Sequence, residues 1–223
     1  MINPLRHNKV FSPEKFDKGI SVIGIGATGS KVAMSLVKLG IEKIHAYDFD
    51  RVEEHNIPNQ IYGEDQIGLQ KTQALFDIIK RQTNSEISVH NEKVDGSQNM
   101  KEIVFLLTDT MSSRKLIWEK SIKGKCNLMI ETRLDSDQGM IYTINPKNPK
   151  HVVKWEGTLC EDKEADPSVC GGEITVGPSS SIIAELAVWQ FIKWFQQQMG
   201  VRNDLENEII IGVNPVALYT KMF

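Results

Sequence analysis

The stretch that decides the fold is Ser21-Val22-Ile23-Gly24-Ile25-Gly26-Ala27-Thr28-Gly29-Ser30. It joins an apolar run typical of a buried strand to residues 31–39, whose composition is typical of a helix. Its spacing is Gly-x-Gly-x-x-Gly in the strand-turn-helix setting that this motif requires for phosphate binding. The first glycine allows the tight turn, the second lets the backbone approach phosphate, and the third lets the helix pack on the strand. The predicted phosphate-binding residues of this loop are Gly24, Gly26, Ala27, Thr28 and Gly29. The N-terminus of the following helix favours bound anions at the same place. The motif alone does not distinguish NAD, FAD and ATP sites.

The polar residues after the second predicted strand are more selective. That strand, at 44–47, is followed by Asp48, at the position where a carboxylate accepts hydrogen bonds from a ribose. An NAD-dependent oxidoreductase would need little more than this acid. That hypothesis leaves unexplained four further polar residues, Asn56, Gln60, Lys71 and Asp109.

The order of these motifs resembles the ThiF/MoeB/HesA adenylyltransferases, which are prokaryotic relatives of the ubiquitin-activating enzymes. The family pattern is a glycine loop, Asp-x-Asp-x-Val, Asn-x-x-Arg-Gln, Gly-x-x-Lys and a later acid at a strand end. The matching positions here span 48–52, 56–60, 68–71 and Asp109. The resemblance implies an ATP-dependent enzyme that adenylates the C-terminal carboxylate of a small ubiquitin-like or sulfur-carrier protein, or of a peptide, and releases pyrophosphate.

The resemblance also implies roles for individual residues. Asp48 would bind the ribose and Lys71 the phosphates, although a lysine at a helix start is also compatible with simple solvation. Asp109 would bind Mg²⁺, or it would cap the following helix, and the two roles are compatible. Asp50 would bind the nucleotide or tie the polar loop as a structural acid. Phosphate oxygens would accept hydrogen bonds from Asn56 and Gln60.

Asn59 departs from the family pattern, because it stands where arginine is usual. An amide keeps a hydrogen-bond donor but lacks the charge, and charge-assisted bonds are roughly twice as strong as neutral ones. Arg6, supplied by a partner subunit as in some relatives, is the proposed replacement cation; a surface role is the alternative. The departure also motivates a second hypothesis, a nucleotide-binding scaffold with weak or no catalysis. Arg114 either serves the site, as an arginine does in relatives, or forms a plain salt bridge.

The chain has three cysteines, Cys126, Cys160 and Cys170, and no Cys-x-x-Cys pair. We therefore expect no structural zinc, because such a site usually takes four thiolates. Cys160 and Cys170 lie in an acidic stretch where some relatives form a thioester. Acidic neighbours raise a thiol pKa, so inert thiols are the favoured interpretation. Cys170 could instead open a Gly-Gly turn.

Composition narrows the class of protein. The chain has 223 residues and a net charge of −3, enough length for a substantial core and no basic field for nucleic acid. No signal-like segment and no long apolar run is present, so we expect a cytoplasmic protein without a membrane partner.

Alternating strand and helix signals predict a doubly wound, Rossmann-like α/β fold, with a mostly parallel sheet that turns antiparallel near the C-terminus. We expect an N-terminal arm at residues 1–18 and a single adenylation domain at 19–223. Residues 157–178 are predicted to form a long loop. The helix predicted at 180–199 is apolar around most of its circumference, which favours either complete burial or a homodimer.

Overall fold

The computed structural model describes residues 2–162 and 176–223. A single eight-stranded sheet runs through it in the order β3-β2-β1-β4-β5-β6-β7-β8. The five strands β1 to β5 pair in parallel, whereas β5 to β8 pair antiparallel. The predicted doubly wound sheet with antiparallel C-terminal strands is thereby confirmed. The strands are β1 (Ile20–Ile23), β2 (Ile44–Asp48), β3 (Ser88–Asn91), β4 (Ile103–Leu106), β5 (Leu128–Leu134), β6 (Gln138–Ile144), β7 (Glu208–Val213) and β8 (Val216–Lys221).

Helices cover both faces of the sheet. On one face α1, α2 and the long α5 enclose the larger apolar core; on the other, α3 and α4 cover a smaller one. The helices are α1 (Gly29–Lys38), α2 (Lys71–Thr83), α3 (Met111–Ile117), α4 (Pro149–Glu156) and α5 (Gly177–Gln198). A π-helical turn, Trp118–Ile122, continues α3.

Helix α4 was not predicted. It has a side-chain N-cap from Asn148 and a proline in its first turn, both of which are start signals. Its eight residues bury only Trp155, so no clear apolar periodicity marks it. In the loop predicted at 157–178, residues 157–162 are irregular with turns, and residues 163–175, including Cys170, lie outside the described part of the chain. The end of the predicted loop is wrong, because residues 177–178 already belong to α5.

The N-terminal segment packs onto the main body. Phe11 is fully buried, with its ring centroid 4.8 Å from that of Phe195 and 5.6 Å from that of Phe191, both on α5. Helix α5 is buried against the sheet and α1, but it exposes Ile182 and Trp189. Within residues 2–162 and 176–223, no helix has the length and apolar content needed to cross a bilayer.

Candidate active site at the carboxyl edge of the sheet

A cavity of about 450 Å³ opens at the carboxyl ends of the parallel strands. This is the edge at which ligands bind in open α/β sheets, and the chain order reverses here, between β1 and β4. The fold therefore brings together residues that are far apart in the sequence. The predicted site residues that line the cavity are Gly24, Gly26, Ala27, Thr28, Asp48, Asp50, Gln60, Lys71 and Asp109.

The glycine loop forms the floor of the cavity. Gly24 has φ +84°, and a Cβ there would lie 2.6 Å from the carbonyl oxygen of Leu107. Gly29 does not line the cavity; a Cβ on it would lie 1.9 Å from the carbonyl oxygen of Gly24, so only glycine fits where α1 packs against the loop. A Cβ on Gly26 would approach only the Gln60 side chain, at 4.0 Å. The backbone at Gly26 is thus open to a ligand.

Asp48 is held rigidly at the end of β2. Its Oδ2 accepts a hydrogen bond from the backbone N–H of Ile25 at 2.9 Å, and its Oδ1 accepts one from the N–H of Asp50 at 2.8 Å. Burial raises the pKa of this carboxyl, while the charge of Lys71 and the two hydrogen bonds oppose the rise. Each oxygen still has a lone pair, so the carboxylate can accept hydrogen bonds from a ligand as well.

Lys71 is buried at the first position of α2, not solvated. Its Nζ lies 2.9 Å from Oδ2 of Asp50, whose side chain is about half exposed. The backbone N–H of Lys71 also donates to the carbonyl of Asp50, so both hypotheses for Asp50 have structural support: it ties the loop and it lines the cavity. A buried ammonium beside a glycine loop is a suitable point charge for a phosphate.

Asp109 is exposed at the rim, just beyond β4. The alternative role as a helix cap is wrong, because the N-cap of α3 is Thr110, whose side chain accepts a hydrogen bond from the N–H of Ser113. Asp109 thus remains available to a ligand. Within the described residues, no cluster of three or more His, Cys, Asp or Glu side chains could hold a metal by itself. Mg²⁺ commonly takes only one or two carboxylates and completes its shell with phosphate oxygens and water.

Four predicted site residues lie outside the cavity lining: Gly29, described above, and Asn56, Asn59 and Arg6. Asn56 is buried and closes the short turn 54–56, where its Oδ1 accepts a hydrogen bond from the N–H of Glu53. Asn59 is half-buried, and its carbonyl faces Ser180 at the start of α5. Arg6 is exposed on the N-terminal segment.

Two polar atoms in the cavity wall are incompletely satisfied. Gln60 Oε1 and Thr108 Oγ1 are buried without a hydrogen-bond partner among the described residues. Buried polar atoms are usually paired, so each is a candidate contact for a bound ligand. Thr108 was not predicted as a site residue; its position between β4 and Asp109 is the signal that could have found it.

The cavity also contains further charged residues: Lys93 and Glu92 were not predicted, whereas Arg114 was considered with two alternative roles. Lys93 follows β3 at the same sheet edge, and its Nζ lies 5.6 Å from the ring centroid of Phe49. Arg114 lines the far side and forms the salt bridge considered above, with its Nε 3.1 Å from Oε1 of Glu131. The lining cations are Lys71, Lys93 and Arg114, and the lining carboxylates are Asp48, Asp50, Glu92 and Asp109.

Two cysteines fall within the described residues. Cys126 is buried, and burial raises the pKa of its thiol to about 11. Cys160 is half-buried. Its neighbour Glu161 pairs with Lys115, and Asp162 accepts a hydrogen bond from the N–H of Met111 at 2.7 Å. The acidic residues after Cys160 are therefore tied to α3.

The fold and the cavity define a doubly wound α/β protein with an open cavity at the point where the strand order reverses. Residues 15–211 match the model of the ThiF family, and the chain belongs to that family. The family resemblance seen in the motifs is thus confirmed.

Curated relatives match parts of the chain. An adenylyltransferase and sulfurtransferase MOCS3 from Caenorhabditis briggsae is 34% identical over 58% of this chain, which spans 34% of that protein. A ubiquitin-like modifier-activating enzyme 5 from the same organism is 37% identical over 37% of the chain, which spans 19% of it. The chain thus spans 34% and 19% of the lengths of these two relatives.

Solved structures share the fold at low identity. MccB from E. coli, crystallised with AMPCPP and MccA, superposes with a TM-score of 0.68 at 17% identity over 92% of this chain and 63% of MccB. PaaA superposes with a TM-score of 0.69 at 18% identity, over 92% of this chain and 64% of PaaA.

Proposed function

We propose that the protein is an ATP-dependent adenylyltransferase that activates the C-terminal carboxylate of a small ubiquitin-like or sulfur-carrier protein, or of a peptide. The observation that carries the proposal is the convergence on one cavity of the glycine loop, Asp48, Lys71 and Asp109. Family membership and the names of the relatives support it: one is an adenylyltransferase, and another activates a ubiquitin-like modifier. MccB crystallised with MccA supports a peptide as an equal alternative.

In the proposed reaction, a carboxylate oxygen of the carrier attacks the α-phosphorus of ATP. A new oxygen–phosphorus bond forms, the bond from the α-phosphorus to the bridging oxygen breaks, and pyrophosphate leaves with the electron pair. No general base is needed, because the nucleophile is already ionised at neutral pH. Positioning and charge neutralisation are therefore the main requirements of the site.

We assign these requirements to residues in and beside the cavity. Asp48 takes the ribose, and the backbone at Gly26 takes phosphate oxygens at the N-terminus of α1. Lys71 turns from Asp50 towards the phosphates when the nucleotide binds. Gln60, through its amide group, and Asn59 are the proposed polar contacts to the phosphate chain, and the buried Asn56 holds the turn that presents them.

The formal charges of the cavity lining, four carboxylates and three cations, sum to −1. A triphosphate carries several further negative charges, so the site requires an added cation. We propose Mg²⁺ held by Asp109, with phosphate and water oxygens completing its shell. Bound there, the ion would neutralise phosphate charge and orient the phosphates.

We further propose a homodimer in which Arg6 of the partner subunit supplies the charge that Asn59 lacks. The exposed position of Arg6 on a segment outside the sheet is compatible with this role. In this proposal residues 1–18 form the arm, residues 19–223 form the adenylation domain, and the reaction occurs in the cytoplasm, where ATP is supplied.

The second candidate function is a nucleotide-binding scaffold. Asn59 favours the scaffold, because it stands where the family usually has an arginine that would contact the phosphates. The two candidates make the same prediction for ATP binding and opposite predictions for turnover.

Calorimetry with ATP, with and without Mg²⁺, and with NAD tests the binding step. We expect Mg²⁺-dependent ATP binding and weaker or undetectable NAD binding; tighter binding of NAD would refute the proposal. In Asp109→Asn, the Mg²⁺ concentration needed for half-maximal ATP binding should rise. Asp77→Asn, an exposed acid on α2, is the matched control and should behave like wild type.

Pyrophosphate exchange with candidate carriers that end in Gly-Gly tests the reaction. Exchange that requires both ATP and the carrier's free carboxylate supports the adenylyltransferase. ATP binding without exchange for any carrier or peptide supports the scaffold.

A further inference from the structure

Glu131 lies inside β5, fully buried, and it is surrounded by donors. Its Oε1 is 3.1 Å from Nε of Arg114 and 3.0 Å from Nε of Arg133, and its Oε2 accepts a hydrogen bond from Nε1 of Trp155 at 3.1 Å. Both arginines are also buried. One carboxylate therefore holds two guanidinium groups and an indole in fixed positions.

Buried ion pairs of this kind define geometry more than they add stability. Desolvation offsets much of their attraction, whereas removal of one partner leaves a buried charge uncompensated. The positions of Arg114 and Arg133 consequently depend on the charge of Glu131.

The two arginines face different parts of the molecule. Arg133 donates to the carbonyl oxygen of Thr158 at 3.0 Å and to its hydroxyl at 2.8 Å, and its guanidinium lies 4.7 Å from the ring centroid of Tyr142. Arg114 donates to the carbonyl oxygen of Thr132 at 3.1 Å and lines the cavity. Of the two arginines, Arg114 is thus the one that connects Glu131 to the candidate active site.

Arg114 lies at the end of the cavity opposite the proposed ribose site. Asp48 ends β2, whereas Thr132 and Leu134, which line the cavity beside Arg114, belong to β5. Strands β2 and β5 are separated by β1 and β4, so the two ends are about 14 Å apart at roughly 4.8 Å per strand. A nucleotide bound from Asp48 across the glycine loop leaves the β5 end for the second substrate.

We infer that Glu131 is a positioning residue that holds Arg114 at the β5 end of the cavity, where this arginine meets the carboxylate to be adenylated. The inference rests on the proposed function and deepens it, because it assigns the two ends of the cavity to two substrates. Arginine suits the task, since its planar group matches the geometry of a carboxylate. The function motifs of the sequence contain neither Glu131 nor Arg133.

The test uses the complete chain and two synthetic peptides ending in Gly-Gly, one with a free carboxylate and one amidated. The protein is first saturated with AMPCPP and Mg²⁺, which fill the nucleotide end without turnover. Peptide binding is measured by calorimetry, and the Nε–H signal of Arg114 is followed by NMR, with Arg114→Lys used for assignment. We expect the acid peptide to bind and to shift this signal, and the amide to do neither.

The decisive variant is Glu131→Gln, which keeps the shape of the side chain and removes its charge. Affinity for the acid peptide should fall on the order of tenfold or more, while AMPCPP affinity stays within about twofold of wild type. Glu156→Gln is the matched control, since Glu156 also accepts a hydrogen bond from a tryptophan, Trp118, but does not line the cavity. It should bind both ligands like wild type.

If Glu131→Gln does not fold, Glu131→Asp takes its place. Aspartate keeps the charge but withdraws the oxygens by one methylene, so peptide affinity should fall by a smaller factor with AMPCPP binding retained. Where both variants fold, Glu131→Asp should bind the acid peptide more tightly than Glu131→Gln.

Three results would overturn the inference. They are an unchanged Arg114 signal in the folded variants, an equal loss of AMPCPP and peptide affinity, and equal binding of the acid and amide peptides by wild type. Failure of the proposed function is a different result, namely a folded wild type that does not bind AMPCPP. In that case a displaced Arg114 signal in Glu131→Gln would still show that Glu131 positions Arg114.

Discussion

The cavity and the interior around Glu131 contain similar side chains in opposite conditions. In the cavity, Asp109 is exposed, and Gln60 Oε1 and Thr108 Oγ1 have no partner among the described residues. Around Glu131, each carboxylate oxygen has a nitrogen donor within 3.2 Å, and solvent is excluded. The polar groups of the cavity are thus open to a ligand, whereas those around Glu131 already have partners within the protein. Changes in the cavity should therefore reduce activity directly, whereas changes in the buried interior should act through stability or, at Glu131, through the position of Arg114.

The largest effect on activity is expected for Lys71→Ala. Asp50 can hydrate when its partner is lost, because its side chain is 47% exposed, so the fold should survive. Loss of the ammonium removes the proposed phosphate contact, and we expect adenylation to be abolished in a pyrophosphate-exchange assay. Because Lys71 opposes the effect of burial on Asp48, the pKa of that carboxyl should rise further.

Lys80→Ala is the control for this variant. Lys80 lies on the same helix, pairs with Glu86 and is more exposed. It should retain wild-type exchange. Near-normal exchange by Lys71→Ala would contradict the assignment of Lys71 and weaken the distinction between the two regions.

The second-largest effect on the adenylation rate is expected for Arg6, which lies outside the described cavity. If Arg6 of a partner subunit replaces the charge missing at Asn59, Arg6→Ala should lower the adenylation rate by on the order of a thousandfold and weaken ATP binding much less. Asn59→Arg in the same chain should restore part of the rate. Single-turnover kinetics and ATP calorimetry measure the two quantities separately.

Lys9→Ala provides a control, since Lys9 is another exposed cation of the same segment. An active preparation in which Arg6→Ala and wild type have equal rates would exclude the partner-arginine hypothesis. The ATP site would remain, and the scaffold would be favoured only if wild type were also inactive.

The residues of the cavity were largely predictable from the sequence, whereas those around Glu131 were not. The parallel strands, the glycine loop and Asp48 follow from local patterns, because the phosphate motif fixes strand, turn and helix together. Lys71 was implied by the family resemblance. Gln60 and Asp109 were assigned through the family resemblance, and both line the cavity. Asn56 was assigned to the site by the same resemblance, and it lies buried in a turn outside the cavity lining. A motif gives the spacing of residues and not the direction of their side chains.

The Glu131 cluster could not be predicted. All seven residues of β5 are buried, and a strand with charges at 131 and 133 ordinarily indicates a solvent-facing side. The burial comes from Arg114, Trp155 and Thr158, which lie on other segments. Helix α4, which carries Trp155, was not predicted, so no pattern in the sequence indicated a partner for Glu131 there.

A change in the larger apolar core, away from both the cavity and Glu131, should have the opposite profile to Lys71→Ala. Phe11→Ala removes a fully buried ring from its contacts with Phe191 and Phe195. We expect a loss of about 3 kcal/mol in the free energy of unfolding and a fall in Tm on the order of 10 °C. Leu5→Ala, at a residue that is 81% exposed, should change neither.

ATP affinity per folded molecule should remain at the wild-type level in Phe11→Ala. A stability change as small as that of Leu5→Ala would show that the N-terminal segment does not pack as described. It would also support an arm that is independent of the main domain.

The smallest effect on adenylation is expected at the cysteines. Here a buried thiol, Cys126, can be compared with a half-buried one, Cys160. Burial raises the pKa of Cys126 to about 11, so its thiol is protonated at pH 8 and should resist iodoacetamide in the folded protein. Cys160 is half-buried and should be alkylated faster. Deprotonation of the Cys126 thiol favours the unfolded state. The contribution of this thiol to the free energy of unfolding is therefore lost as the pH rises through about 11.

Mass spectrometry of peptides after timed alkylation measures both reactivities, and Cys160→Ser identifies the faster site. If the thiols are inert in the reaction, Cys160→Ser should also leave pyrophosphate exchange unchanged, because adenylate formation precedes any thioester. A thioester would instead appear as a covalent carrier adduct that is sensitive to hydroxylamine and is lost in Cys160→Ser or in Cys170→Ser. Rapid alkylation of Cys126 in the folded protein would show that this part of the interior opens to solvent, and the boundary between the two regions would have to be redrawn.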